Sequence, residues 1–252
     1  MKNFLPKRLR KEPLIEAVWQ VQFQPSTAGG EILVGVLYQN LRNDYPIFLR
    51  LPSADIPAPA VEMNPNLRYL AKFRLENSAS PFVIQVGDRV VSLHCRRPYA
   101  GWPRFKENIL KLAEELKKSS LPFEPERHSL HYFDLLQIEP PPSLASFNLN
   151  IQIANRKVIG KPLQMRTEIS DGKYGHIVQI MTPVEIAIEQ DRKESGALID
   201  LETFAEAKDD FWFTVCRDLD DLHNASKRMF FMLLTPEAIT RLEPEYEEPT
   251  HA

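Results

Sequence analysis

Four residues of this chain carry the groups that acid–base chemistry requires: Glu16, Asp134, Asp200 and His223. Proton transfer needs a carboxylate or an imidazole within hydrogen-bond reach of the reacting group. Glu16 and Asp200 each fall out of phase with the apolar residues beside them, which places them on the polar side of a strand. The simplest interpretation is a solvated or salt-bridged acid. A pair of catalytic acids on neighbouring strands requires that the two carboxylates lie close together, and the sequence alone does not show that distance.

Histidines next to acids are the candidates for metal ligation, and His128, His131 and Asp134 form the densest set. Their spacing places His131 on the opposite face of a strand from the other two, so the three cannot ligate one ion. Cys216 and His223 would share the flank of a helix, but two ligands fall short of a closed site. The sequence therefore predicts no metal site and no cofactor.

Two basic stretches carry residue types that contact nucleic acid. Arginines interleaved with aromatic rings can hold phosphates and stack bases. The formal net charge of −3 opposes any general attraction to a polyanion, so binding would depend on these local patches. The candidate contacts are Lys7, Arg8, Arg10, Arg96, Arg97, Tyr99 and Arg104.

Familiar enzyme signatures do not occur in the sequence. It contains no GxSxG, GxxxxGK[ST], GxGxxG or HExxH motif. The nearest match, VIGKP at 158–162, lacks the first glycine and the Ser/Thr of a phosphate loop. The sequence predicts a protein without catalytic residues. An enzyme of unrecognised type, built on the four acid–base residues, stays open as an alternative.

Composition places the chain among ordinary globular proteins. Its 252 residues are 43% hydrophobic and 26% charged, enough for one large domain or two small ones. Two cysteines outside any CxxC pattern suit a reducing compartment. The basic N-terminus has no apolar run after it, and the most apolar stretch, MFFMLL at 229–234, is too short to span a bilayer. We expect a cytoplasmic protein that does not associate with membranes.

The stretch EPLIEAVWQVQF at 12–23 has the most regular pattern in the chain. Its apolar residues alternate with polar ones, which is typical of a strand with one buried face. The other face presents Glu16 and the glutamines. The predicted core residues are Ile15, Ala17, Trp19, Val21 and Phe23.

The remaining elements follow from periodicity and turn residues. In the first half we predict helices at 29–46 and 102–118, and strands at 67–77 and 128–138. A hairpin at 81–95 closes on a two-residue turn, Gly87-Asp88. In the second half we predict strands at 147–153, 162–169, 176–190 and 197–204.

The strongest helix is predicted near the C-terminus. Its apolar stripe recurs at steps of three and four. Thr235-Pro236 then begins a short helix that continues to about Leu242, because threonine is a good N-cap and proline a good first residue. The stripe consists of Val215, Leu219, Leu222, Ser226, Met229 and Leu233.

Runs of strands followed by helices indicate an α+β fold, with antiparallel sheets and long amphipathic helices packed on one face. Both halves place a hairpin or meander before a long helix, which favours two similar β-rich halves. These are 1–138, an α+β half, and 144–242, an antiparallel sheet plus helix. Prolines at 139–143 mark the boundary, and 243–252 form an acidic tail. The alternative is one compact domain.

Several motifs occur in an order that resembles a sporadically distributed bacterial and archaeal family of unknown function and similar length. They are PLIEAVWQVQF, FVIQVGDRVVSL followed by YAGWPRFKENI, LIDLE, and LDDLHNASKRMFFMLLTPE. The first and last are the most specific, and the resemblance spans nearly the whole chain. The segment SLHYFDLLQI departs from the family pattern. The resemblance implies no catalytic residues, and it implies a gene that spreads horizontally, as mobile-element, toxin-neutralising and phage-defence genes do.

These observations favour a non-catalytic cytoplasmic protein that binds another protein through a sheet face or a helix. The resemblance implies an accessory, antitoxin-like or immunity-like component whose partner is co-encoded with it, and a homo-oligomer is a second form of the same hypothesis. The first alternative is a nucleic-acid-binding accessory protein that uses the basic patches. The second is the enzyme of unrecognised type.

Overall fold

The structure is a computed structural model, which describes residues 5–24, 29–137, 144–158, 160–189, 192–208 and 210–246. The fold is α+β and contains a large antiparallel sheet, as the sequence predicts. The predicted boundary at 139–143 and most of the predicted tail lie outside the described residues. The thirteen strands of the described ranges are β1 Arg8–Leu9, β2 Leu14–Phe23, β3 Ile47–Arg50, β4 Phe73–Glu76, β5 Phe82–Val86, β6 Val90–Arg96, β7 Pro125–Leu136, β8 Gln152–Ile153, β9 Arg156–Lys157, β10 Leu163–Asp171, β11 Tyr174–Glu189, β12 Arg192–Glu206 and β13 Pro244–Glu245.

Helices alternate with groups of strands along the described chain. They are α1 Gly30–Leu41, α2 Ala58–Met63, α3 Trp102–Lys118, α4 Phe211–Leu233 and α5 Pro236–Arg241. Nine strands form one sheet in the order β10-β11-β12-β7-β2-β6-β5-β4-β3. The pairs β1-β13 and β8-β9 form two further small sheets. No helix in the described ranges is long and apolar enough to cross a membrane.

The described chain divides into two compact units, and neither is a continuous stretch of sequence. One unit, here called the β10 unit, comprises Met1–Ile15, Tyr132–Thr203 and His223–Ala252. The other, here called the β2 unit, comprises Glu16–His131 and Phe204–Leu222. Each unit therefore takes segments from both of the predicted halves.

The core of the β2 unit confirms the alternation in the opening strand. Ala17, Trp19, Val21 and Phe23 are each 0% exposed, while Ile15 is only half-buried. Trp19 lies opposite Leu93 of β6 in the antiparallel register. Burying apolar area contributes roughly 25 cal/mol per Å², so this face is a main source of the unit's stability.

Helix α3 supplies a second layer of the same core. Its sequence predicts an apolar stripe at steps of three and four, formed by Trp102, Phe105, Ile109, Leu112, Ala113 and Leu116. The last five of these residues are buried. Trp102, which the sequence places in that stripe, is only half-buried. Its indole Nε1 donates a hydrogen bond to Asp220 Oδ1 at 3.1 Å.

The β10 unit has a core of its own, formed by β11, β12 and the C-terminal part of α4. Every residue of the predicted α4 stripe is buried, and Ser226, Met229 and Leu233 of that stripe belong to this unit. The Thr235 side chain accepts a hydrogen bond from the Ala238 N–H, which confirms the predicted N-cap of α5. The core cluster contains Leu136, Phe147, Val178, Ile180, Ala197, Ile199, Leu201, Met229, Leu233, Leu234 and Ala238.

The predicted strand at 147–153 is wrong for most of its length. Only Gln152–Ile153 is a strand, and Phe147 makes a single bridge to Leu234. The Asn148 side chain donates to the carbonyls of Met232 and Leu234, at 3.0 and 2.8 Å. Phe147 contacts the core and Asn148 binds the carbonyls at the end of α4, so these two residues differ in environment without belonging to a strand.

Three smaller predictions also differ from the structure. The predicted strand at 67–77 is reduced to Phe73–Glu76, and a 3₁₀ turn occupies Pro65–Leu67. The clustered prolines of the stretch 52–65 predict a long loop, but this stretch contains α2. The hairpin closes on three residues, 87–89, because β5 ends at Val86 and β6 begins at Val90.

A buried histidine in the β10 unit makes stability depend on pH. His176 is 0% exposed, and its Nδ1 lies 2.9 Å from Thr203 Oγ1. Burial lowers the pKa of His176 below 6.5; Asp171 opposes this effect and Arg228 adds to it. The folded state therefore resists protonation that the unfolded chain accepts.

We expect the wild-type protein to lose stability as the pH falls below 6.5, because the unfolded state then binds the proton more readily. At one pH unit below that value the loss is at most about 1.4 kcal/mol for one group. The loss of stability is measured by urea unfolding of the wild-type protein and of the His176→Gln variant at pH 6.5 and below. If the two curves stay parallel as the pH falls, His176 does not carry the effect.

Candidate functional site

The β2 unit contains a hydrogen-bonded triad of Glu16, His94 and Ser92. Glu16 Oε1 lies 2.9 Å from His94 Nδ1, and His94 Nε2 lies 3.0 Å from Ser92 Oγ. A carboxylate can only accept, so Nδ1 donates to Glu16, and the neutral ring leaves Nε2 to accept the Ser92 hydroxyl proton. An acid, an imidazole and a hydroxyl stand in the order that serine hydrolases use.

Strand pairing positions the three side chains. Ser92 and His94 are two residues apart on β6, so both project from the same face of the sheet. In the register of β2 with β6, Val18 lies opposite His94 and Glu16 opposite Arg96. Glu16 is thus the diagonal neighbour of His94, a separation that a long side chain spans.

The charges around Glu16 keep its carboxylate ionised. Burial by itself raises the Glu16 pKa, but the hydrogen bond from His94, the charge of Arg96 and the charges that His94 and His131 carry when protonated together lower it below 4.5. The carboxylate side chain is 29% exposed and the His94 imidazole 15%. An ionised carboxylate at Nδ1 fixes the tautomer of the ring and would stabilise its protonated form.

Two glutamines are the cross-strand neighbours of Ser92. Gln20 of β2 and Gln85 of β5 both lie directly opposite Ser92, one on each side of β6. Glutamine side chains donate N–H groups, and such groups can stabilise an oxyanion. Ser92 itself is 5% exposed, so only a small group could approach its hydroxyl.

The other three acid–base candidates belong to the β10 unit. Asp134 of β7 is buried and Asp200 of β12 is half-buried. His223 of α4 is half-buried, and its Nδ1 lies 2.9 Å from the Tyr132 hydroxyl. Within the described ranges, no group of three or more His, Cys, Asp or Glu residues could hold a metal ion.

The N-terminal basic stretch pairs with acids of β13 and the residue before it. Arg8 and Arg10 contact the Glu245 carboxylate at 3.1 and 2.6 Å, and the Lys7 N–H donates to the Glu245 carbonyl. Lys11 contacts Glu243 at 2.9 Å. The hydrogen bond and charge of Glu245 raise the Arg10 pKa. These ion pairs offset the positive charge on which the nucleic-acid hypothesis rests.

The second basic stretch remains exposed at Arg96, Arg97 and Arg104. Arg96 Nη1 lies 3.8 Å from Glu76 Oε2, and the Arg104 guanidinium carbon lies 5.9 Å from the ring centroid of Phe82. Tyr99 is half-buried with its ring edge-on to Phe105. The candidate aromatic ring of this patch therefore packs on the core of the β2 unit, and only the arginines face solvent.

The β10 unit ends in a long exposed edge. β10 is the terminal strand of the nine-stranded sheet and pairs over nine residues with β11. In the described part of the chain, no other backbone hydrogen bond reaches β10. Gln164, Arg166, Glu168 and Ser170 are exposed on one face of it.

Sequence reasoning missed Ser92 and His94 as partners of Glu16. Ser92 and His94 are two residues apart in the predicted hairpin, so the sequence alone places both side chains on one face of the strand. Glu16 is 78 residues from His94, and only the register of β2 with β6 brings them together. Comparison with known proteins found no matching family model and no matching curated protein.

Proposed function

We propose that this protein is a cytoplasmic interaction module that binds another protein chain by adding a strand to β10. The observation that carries the proposal is the nine-residue exposed edge of Leu163–Asp171. Unpaired N–H and C=O groups along such an edge accept an extended segment, and main-chain hydrogen bonds then provide the affinity.

The opposite edge of the sheet makes a useful contrast. β3 is four residues long, and its Arg50 side chain contacts Asp55 and the Ala54 carbonyl at one end. Short edge strands and covering contacts are devices that prevent strand addition. β10 is more than twice as long, and it has no proline within it. A long row of unpaired backbone groups is a template for pairing with another chain, which supports a binding role.

Site-specific photo-crosslinking tests the proposal. A photoreactive amino acid replaces Gln164 or Ser170 on the exposed face of β10, and Glu114 on α3 serves as the matched exposed control. We expect stoichiometric crosslinks to a protein chain from the β10 positions and none from position 114. Equal crosslinking from all three positions, or none from β10 in the native host, contradicts the proposal.

A second candidate function, acyl transfer, is favoured by the triad. In it the Ser92 Oγ attacks the carbonyl carbon of a small ester while His94 Nε2 takes the hydroxyl proton. Glu16 stabilises the imidazolium that forms, and the carboxamides of Gln20 and Gln85 stabilise the oxyanion. The leaving alcohol takes the proton from His94, and water then hydrolyses the acyl-serine by the same route.

A small fluorophosphonate probe distinguishes an activated serine from an ordinary one. General-base assistance by His94 should make Ser92 react about 100-fold faster than Ser80, whose hydroxyl accepts a hydrogen bond from the Phe82 N–H. We expect His94→Gln to remove this advantage and Glu16→Gln to reduce it, with the labelled peptide identified by mass spectrometry. Labelling of Ser92 no faster than Ser80 would rule out the second candidate.

A further inference from the structure

The sequence of β10 is complementary to itself. It reads LQMRTEISD, with Thr167 at its centre and Arg166 and Glu168 on either side. Both charged side chains are exposed. In the hairpin with β11, Arg166 lies opposite Gln179 and Glu168 opposite Ile177, so β11 places no opposite charge across from either.

The geometry of antiparallel pairing limits how two copies of β10 can meet. Residues directly opposite each other are either both hydrogen-bonded across the pair or both not. Identical strands related by a two-fold axis must therefore place residues of the same parity opposite each other. The axis then passes through a residue, and the three central choices are Arg166, Thr167 and Glu168.

Charge selects among these three registers. An axis at Arg166 places that arginine opposite its own copy, and an axis at Glu168 does the same for the glutamate. Like charges directly opposite are destabilising. An axis at Thr167 instead places Arg166 opposite Glu168 of the second copy, twice, by symmetry. The same register places Met165 opposite Ile169, also twice.

We infer that the chain occupying the β10 edge is a second copy of this protein, paired antiparallel with the two-fold axis at Thr167. This inference rests on the proposed binding role of β10 and names its partner. The interface is isologous, so each copy contributes the same surface and the dimer closes without further growth. Closure also explains how a long edge is covered without forming a fibre.

Charge reversal tests the register directly. Arg166→Glu places two carboxylates opposite each other on both sides of the Thr167 axis, and Glu168→Arg does the same with two cations. We expect each single variant to weaken self-association about tenfold or more. The double variant Arg166→Glu/Glu168→Arg restores both ion pairs and should dimerise like the wild type. An equimolar mixture of the two single variants should form heterodimers.

Sedimentation velocity over roughly 5–200 µM, the range that a small interface requires, measures these states. Lys157→Glu is the matched control, because it reverses an exposed charge on β9, outside the β10 edge. Far-UV circular dichroism checks that each variant folds. If one single variant does not fold, the other single variant and the double variant still test the register.

A wild-type protein that stays monomeric overturns the inference, and so does a dimer that both single variants leave intact. These outcomes are separable from failure of the proposed function. A monomer that still crosslinks to a different protein from Gln164 and Ser170 retains the binding role and rejects only the second copy. A monomer without crosslinks from β10 rejects both.

Discussion

Replacing Trp19 by alanine is expected to lower the free energy of unfolding by about 3–5 kcal/mol. Trp19 is 0% exposed at the centre of β2, and it is among the largest fully buried side chains of the protein. Alanine removes the whole indole, and the rigid strands on either side cannot close the cavity. The cost is the lost transfer free energy plus that of the cavity.

Trp19→Phe is the matched control for this prediction. The indole Nε1 of Trp19 is buried without a hydrogen-bond partner among the described residues. Phenylalanine keeps much of the apolar volume and removes that unpaired donor, whose burial itself costs about 1–3 kcal/mol. We therefore expect Trp19→Phe to cost much less than Trp19→Ala in urea unfolding. Equal losses from both variants would mean that the indole N–H has an unrecognised role.

Local periodicity was sufficient to predict the elements with one continuous apolar face, although Leu14 and Val18 on the other face of β2 are buried too. β2, α3 and α4 each repeat their apolar residues at one period, and each buries most or all of the predicted stripe. The period survives because one side of these elements contacts the core along their whole length. Thr235 also followed from local chemistry, because a cap needs only the residues that follow it.

The strand predicted at 147–153 failed for a reason that periodicity cannot detect. Alternation reports which side chains are apolar, but not what the polar ones bind. Here the Asn148 amide binds two carbonyls at the end of α4, more than eighty residues further along the chain. Phe147 forms a bridge with Leu234 and belongs to the core cluster. This contact holds the segment against the core, although most of the segment has no strand partner.

The candidate functional residues also include some relations that local sequence predicts and some that only the fold creates. Ser92 and His94 share a face by local alternation, yet their link to Glu16 depends on how β2 pairs with β6. The basic N-terminus is a candidate nucleic-acid contact, under the alternative hypothesis, because its charges are adjacent in sequence. Its partner, Glu245, is 235 residues from Arg10 and could not be paired with it in advance. Sequence gives the inventory of charges, and the fold decides which of them are already paired.

Two glycines of α1 should respond to alanine in opposite directions. A Cβ on Gly30 would lie 2.6 Å from the Gly87 carbonyl oxygen and 3.0 Å from the Asp88 nitrogen. Both belong to the backbone of the hairpin turn, so neither can rotate away. The Gly30 N–H also donates to Asp88 Oδ1 at 3.2 Å. Gly35 lies in the same helix, and a Cβ added there would meet no described atom within 4 Å.

We expect Gly30→Ala to destabilise the protein by about 1–3 kcal/mol, because the start of α1 and the turn must separate. Gly35→Ala should stabilise it by roughly 0.5–1 kcal/mol, because alanine restricts the unfolded chain and favours helix. Urea denaturation midpoints of the two variants should therefore fall on opposite sides of the wild-type value. If Gly30→Ala stabilises the protein as Gly35→Ala does, helix propensity alone governs both positions and the close approach of α1 to the turn carries no energetic weight.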